Sequence, residues 1–127
     1  MLTLTINDYY SQDSSASYDY IHYDSNPSPD HYYGDEADEH GTSCAGEIAM
    51  VKDNGRCGVG VAYESSLGAL KFNVSRVSDI TKSLGLGHMN NYIKVYSNSW
   101  GPSDLGFRVG GPGRLTKQTL FNGATRV

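Results

Sequence analysis

The first 39 residues carry nine carboxylates, seven Asp and two Glu, and not one Lys or Arg, whereas the rest of the chain holds all ten basic residues and only five acids. This asymmetry constrains the fold more than any other feature of the chain. The negative charge of the first part has to be neutralised or solvated. A disordered acidic tail is usually poor in aromatics, yet residues 1–39 contain seven of the ten tyrosines. They read as an acidic, Tyr-rich, loop-rich layer that binds something positive, such as calcium or a basic peptide; a solvated acidic loop is the alternative. "SNPSPD" (25–30) marks a Pro/Ser turn within it.

At 127 residues the chain is at most one domain. It contains no apolar run near the roughly 20 residues that span a bilayer, and "MLTLTIND" lacks the charged and apolar regions of a secretory signal. The sequence has no P-loop and no GxGxxG, and no nucleic-acid partner is expected. Between Gly41 and Lys52, Cys44, Ile48 and Val51 fall at i, i+4 and i+7 with Ala45 and Ala49 beside them, which predicts a helix broken by "DNGRCG" (53–58). "VGVAY" (59–63) and "LGALKF" (67–72) read as short buried strands, and "VSDITKSLGL" (77–86) as a short helix closed by glycine. "YIKVYSNSW" (92–100) reads as a strand, and "GPGRLTKQTLFNGA" (111–124) as a helix with Pro near its start. Helices alternating with strands predict an α/β layered fold with a mostly parallel sheet and flanking helices. Cys44 and Cys57 fit no zinc spacing; their pairing with each other is possible but not implied.

His40 opens the helical run "HGTSCAGEIAMV". A histidine in the first turn of a helix feels the positive end of the macrodipole, which disfavours imidazolium. A neutral imidazole is the form a general base needs. The small residues Gly41, Thr42 and Ser43 would let another strand approach the ring. A lone histidine near a helix start is nevertheless more often structural than catalytic.

The wider pattern changes that balance. "HGTSCAGEIAMVKDNGRCGVGVAY", "YSNSWGPSDLG" and "GGPGRLT" resemble the kexin/furin-like proprotein convertases of the subtilisin superfamily, from about Ala16 to Ala124. The resemblance implies a partial three-layer subtilisin-like fold, an incomplete catalytic domain over residues 1–127, and His40 as the histidine of a Ser-His-Asp triad. It places the triad aspartate, in a "DDG"-type strand, before this segment, and the nucleophilic serine and oxyanion asparagine after it. It implies cleavage of precursor proteins at dibasic sites within the secretory pathway, with any membrane anchor outside this chain. Ser99, Trp100, Gly101 and Pro102 match the edge strand that pairs with the substrate backbone, and Asp104 an aspartate in the pocket for the basic P1 side chain. Read locally, Asp104 is also an ordinary turn aspartate after Pro102. Asp38 loosely matches a residue facing the P2 side chain. The segment after Asp79 is about two residues short and lacks an acidic P4 contact, and Gly110 replaces a second one.

Calcium is the cofactor that the resemblance implies. Val51, Arg56 and Gly58 would supply carbonyl oxygens and Asn54 its side-chain oxygen at a first site, and Asp19, Asp24 and Asn26 would form a second. Asn26 stands where Asp is usual, which removes a charge, and Asp104 matches a ligand of a third site. Cys57 matches a cysteine that pairs downstream, and Cys44 a buried free thiol behind the histidine. Asn73-Val74-Ser75 is a glycosylation sequon with meaning only for a secreted chain. Two further readings compete: a truncated paralogue that only holds basic peptides, and a fragment with no function of its own.

Overall fold

The computed structural model describes residues 11–28, 36–73, 77–99, 101 and 110–125. They fall into two compact units, Met1–Asn73 and Val74–Val127.

In the first unit the acidic segment supplies half of a parallel ribbon. β1 (Ser11–Gln12) pairs with β3 (Ser66–Leu67), and β2 (Tyr18–Asp19) with β4 (Leu70–Lys71), in the registers Gln12↔Leu67 and Asp19↔Lys71. The stretch 11–19 is longer than its partner 66–71, and a 3-10 turn at Ser14–Ala16 absorbs the excess. Asp13 caps that turn, its Oδ1 accepting from the amides of Ser15 and Ala16. Ser17 bridges the gap in the ladder: its Oγ accepts from Ala69 N at 3.1 Å and donates to the Asp13 carbonyl at 2.7 Å. Alternation along the strands separates two chemistries. Tyr20 stacks on Phe72 and meets Tyr18 edge to face, both at 4.8 Å, so tyrosines cover one side of the ribbon. Asp19 and Lys71 share the other side.

α1 (Glu36–Ala49) packs on this ribbon. Gly41, Ala45 and Ala49 recur every four residues and form its fully buried stripe, with Ala45 against Ala69 and Leu67 alongside. The expected face of Cys44, Ile48 and Val51 is only half-buried. The smallest side chains win the inner position because they let the helix backbone approach closest, and the bulkier row is displaced sideways.

The expected strand 59–63 does not form. Its amides are already committed: Gly60 N donates to Met50 O at 2.8 Å, Val61 N to Glu47 O at 3.0 Å and Ala62 N to Ile48 O at 2.8 Å. These are the carbonyls that the end of a helix leaves without an internal partner. Gly60 permits the contact, since a Cβ there would overlap the backbones of Ala49 and Met50. The connecting loop turns through positive φ at Asp53, Gly55 and Gly58.

In the second unit, α2 (Asp79–Gly87) and α3 (Arg114–Thr125) pack together. Ser78 caps α2 through Thr81 N. Asp79 caps α3 from outside, accepting from Leu115 N at 2.9 Å, Thr116 N at 3.1 Å and Thr116 Oγ1 at 2.6 Å. A carboxylate on three donors at a helix N-terminus is favourably placed. Gly113 makes room for it, because a Cβ there would overlap the Asp79 carboxylate. Ser83 and Thr119 join the helices by a 2.7 Å hydroxyl contact. Of the strand expected over 92–100, residues 92–99 join no sheet among the described residues, and Val95 is 82% exposed. A strand needs a ladder partner; the local bonds here are the Tyr92 and Ile93 amides to Met89 O and Tyr96 Oη to His88 O. No helix is long and apolar enough to cross a membrane among the described residues.

The Asp79 cap makes the second unit acid-sensitive. The Thr116 hydroxyl and the Leu115 amide hold its carboxyl below the ordinary aspartate range. A depressed folded-state pKa contributes stability above the unfolded value of about 3.9, which is lost as pH falls through the folded value. The α2–α3 pair should therefore loosen at pH below about 3.9. Helix circular dichroism across an acid titration checks this, and Asp79→Ala should weaken the pair at neutral pH while removing that step.

Candidate functional site

His40 sits in the second turn of α1, because the helix starts at Glu36 rather than near Gly41. The expectation that its ring lies in the first turn is thereby corrected. The dipole field falls off within the first turn. What α1 does supply is display: His40, Cys44 and Ile48 form the row beside the buried Gly41–Ala45–Ala49 stripe, and His40 is exposed. The ring leans over the next turn, with Nε2 at 3.8 Å and Nδ1 at 4.0 Å from the Cys44 sulfur. Cys44 is half-buried rather than fully buried, Cys57 is exposed, and both are free thiols. Asp38 lies on α1 one turn before Gly41.

The remaining substrate-side residues belong to the second unit. Ser99 and Gly101 are exposed; Trp100, Pro102 and Asp104 lie outside the described residues. Gly110 is exposed.

The residues expected to hold calcium divide sharply. In the 51–58 loop, Asn54 Oδ1 accepts from Arg56 N at 2.9 Å, and Nδ2 is buried with no hydrogen-bond partner among the described residues. A buried amide donor in that state marks a place for water or another acceptor. An amide oxygen has two lone pairs, so Asn54 Oδ1 keeps one. This loop keeps a side-chain oxygen open to a cation. The acidic segment does not. Asp19 Oδ1 accepts from Ile21 N at 2.6 Å and His22 N at 3.1 Å, while Oδ2 meets His22 Nδ1 at 2.9 Å and Lys71 Nζ at 3.1 Å. Both Asp19 and Lys71 side chains are 1% exposed, and His22 is 50% exposed. Burial pushes the Asp19 carboxyl up, but the hydrogen bonds from His22, Ile21 and Lys71 outweigh it and hold the group below the ordinary range. Among the described residues no cluster of three or more His, Cys, Asp or Glu is placed to hold a metal ion.

Lys71 and His22 were not singled out in the sequence. A signal for Lys71 existed: a charged residue inside the apolar run "LGALKF" needs a counter-charge, and the surplus of acid lies in residues 1–39.

Comparison with known proteins gives this geometry its context. The model of the subtilase family matches residues 4–126. Proprotein convertase subtilisin/kexin type 4 of Homo sapiens is 40% identical over 114 residues, 90% of this chain and 15% of that protein. Furin-1 of Xenopus laevis is 41% identical over 114 residues, 90% of this chain and 14% of that protein. Proprotein convertase subtilisin/kexin type 6 of Rattus norvegicus is 45% identical over 111 residues, 87% of this chain and 12% of that protein. The chain thus spans a small fraction of the length of these relatives. It belongs to the subtilase family.

The ion pair is the expected weak point of the first unit. Removing one partner of a buried pair typically costs about 3–5 kcal/mol, so Lys71→Met should lower stability by that order in a urea melt. Lys71→Arg, which retains the charge, should lose clearly less.

Proposed function

We propose that this subtilase segment is part of a calcium-dependent serine endoprotease of the kexin/furin type, acting in the secretory pathway on precursor proteins at paired basic residues. The observation that carries the proposal is His40. Its ring is exposed on a helix whose neighbouring stripe is buried, within a "HGTSC" motif that lies inside the family match. The segment's relatives, furin and the proprotein convertases, support precursor proteins as the substrate class.

In a Ser-His-Asp triad the histidine takes the serine proton as the hydroxyl attacks the scissile carbonyl, then returns it to the leaving amine. His40 fills that role, with the serine and the orienting aspartate supplied from elsewhere in the whole protein. The 94–99 backbone joins no sheet among the described residues, which suits pairing of Ser99, Trp100, Gly101 and Pro102 with a substrate strand. Asp104 receives the P1 guanidinium or ammonium through a charge-assisted pair, and Asp38 faces P2. Calcium is a structural ion here. The Val51, Arg56 and Gly58 carbonyls with Asn54 Oδ1 would hold it; because calcium takes six to eight oxygens, water or other parts of the protein would complete the shell.

The test is to express the gene product that contains this segment and assay an Arg-Arg fluorogenic peptide. Turnover should disappear in His40→Ala. If the peptide binds but is never cut, the segment is a binding module and the proposal fails. The 127-residue chain by itself should not cleave, since His40 then lacks both partners.

Specificity is a separate matter. Asp104→Asn should cost about 2–5 kcal/mol in kcat/KM for P1 Arg, the usual loss when one side of a buried charge pair is removed. With Gly110 in place of an acid, replacing P4 Arg by Ala should change kcat/KM far less. A dominant P4 effect would reverse this assignment.

A further inference from the structure

We infer that the loop 19–28 is closed by the ammonium group of Lys71 acting as a built-in cation, and that no calcium ion enters it. This departs from the second calcium site implied by the resemblance, and it rests on the loop's own geometry rather than on the proposed protease activity.

The argument is one of available lone pairs. A carboxylate offers about four acceptor positions, and Asp19 uses four: two backbone amides on Oδ1, an ammonium and an imidazole on Oδ2. An amide oxygen offers two, and Asn26 Oδ1 uses both, on Ser28 N at 3.2 Å and Ser28 Oγ at 2.6 Å. Asp24 Oδ1 accepts from Asn26 N at 2.8 Å, and Asp24 is exposed. Of the three expected ligands, only Asp24 retains a carboxylate oxygen for a metal, against the six to eight oxygens that calcium needs.

Displacement of the ammonium is also blocked by the backbone. Lys71 is the register partner of Asp19 in the β2–β4 pairing, and Tyr20 N donates to Lys71 O at 2.9 Å. Nζ is anchored a second time by Ser28 O at 2.9 Å, at the far end of the loop. Asp19 and Asp24 meanwhile close the loop's neck by reciprocal backbone bonds of 2.8 and 3.3 Å. A calcium ion at Asp19 would have to separate from its counter-charge an ammonium whose side chain is 1% exposed, an outcome with a large desolvation cost.

Hydrogen exchange on the 127-residue chain tests this at the Ile21 and His22 amides, which point at Asp19. Their protection should be the same in millimolar calcium and in excess EDTA, and Lys71→Met should abolish it in EDTA. Protection that appears only with calcium overturns the inference, and so does its absence in both conditions. A terbium titration, read through emission sensitised by Tyr18, Tyr20 and Tyr23, provides a second measurement. Asp24→Asn should leave the titration curve unchanged; loss of emission in that variant overturns the inference. Neither readout involves proteolysis, so the outcome is independent of whether the convertase reading stands.

Discussion

The contact between the Asp19 carboxylate and the Lys71 ammonium, buried from water, ties the acidic segment to the rest of the first unit. Each charge alone would be expensive to bury, and together they are tolerable only because other bonds fill their remaining positions. Those bonds build the loop: Asp19 fixes the amides of Ile21 and His22, and Lys71 fixes the carbonyl of Ser28. The pair also sets register, since a one-residue slip of β2 against β4 would turn Asp19 to the tyrosine side of the ribbon. The asymmetry of charge along the chain is thus resolved at one point by a covalently tethered cation.

On that ribbon the helix that displays His40 is seated by the smallest side chains available. Gly41, Ala45 and Ala49 bring α1 close to Ala69, and the returning chain at 60–62 takes up the carbonyls at its C-terminal end. Both devices fix the helix without engaging the His40 side chain. His40 thus stands exposed on a firmly seated helix. The same logic recurs in the second unit, where Asp79 caps a helix it does not belong to and Gly113 leaves space for it.

Motifs and helices were legible in the sequence; sheet partners were not. The runs around 77–86 and 111–124 gave two helices within about three residues of their observed ends, and 41–52 the later part of a third, because helical periodicity and capping are local. "HGTSC" and its companions led to the family for the same reason, since the residues of a motif are adjacent in the chain. The start of α1 was misjudged because the acidic residues ahead of His40 do not look apolar, yet they extend the helix and move His40 into its second turn.

What the sequence alone determined is the three helices and the family; what tertiary structure alone decided is which segments pair as strands and how each polar group is used. "VGVAY" has the composition of a strand, but the 51–58 turn folds its amides back onto the open carbonyls at the end of α1, and they bond there. Residues 11–19 look like a polar loop, but the edge of 66–71 offered a ladder, and they became strands. Asp19, Asp24 and Asn26 have the composition of a calcium site, but Lys71, far along the chain, arrives beside Asp19 through strand register. Hydrogen bonds and ion pairs are satisfied by whichever group folding brings near, and that proximity is not written in local order.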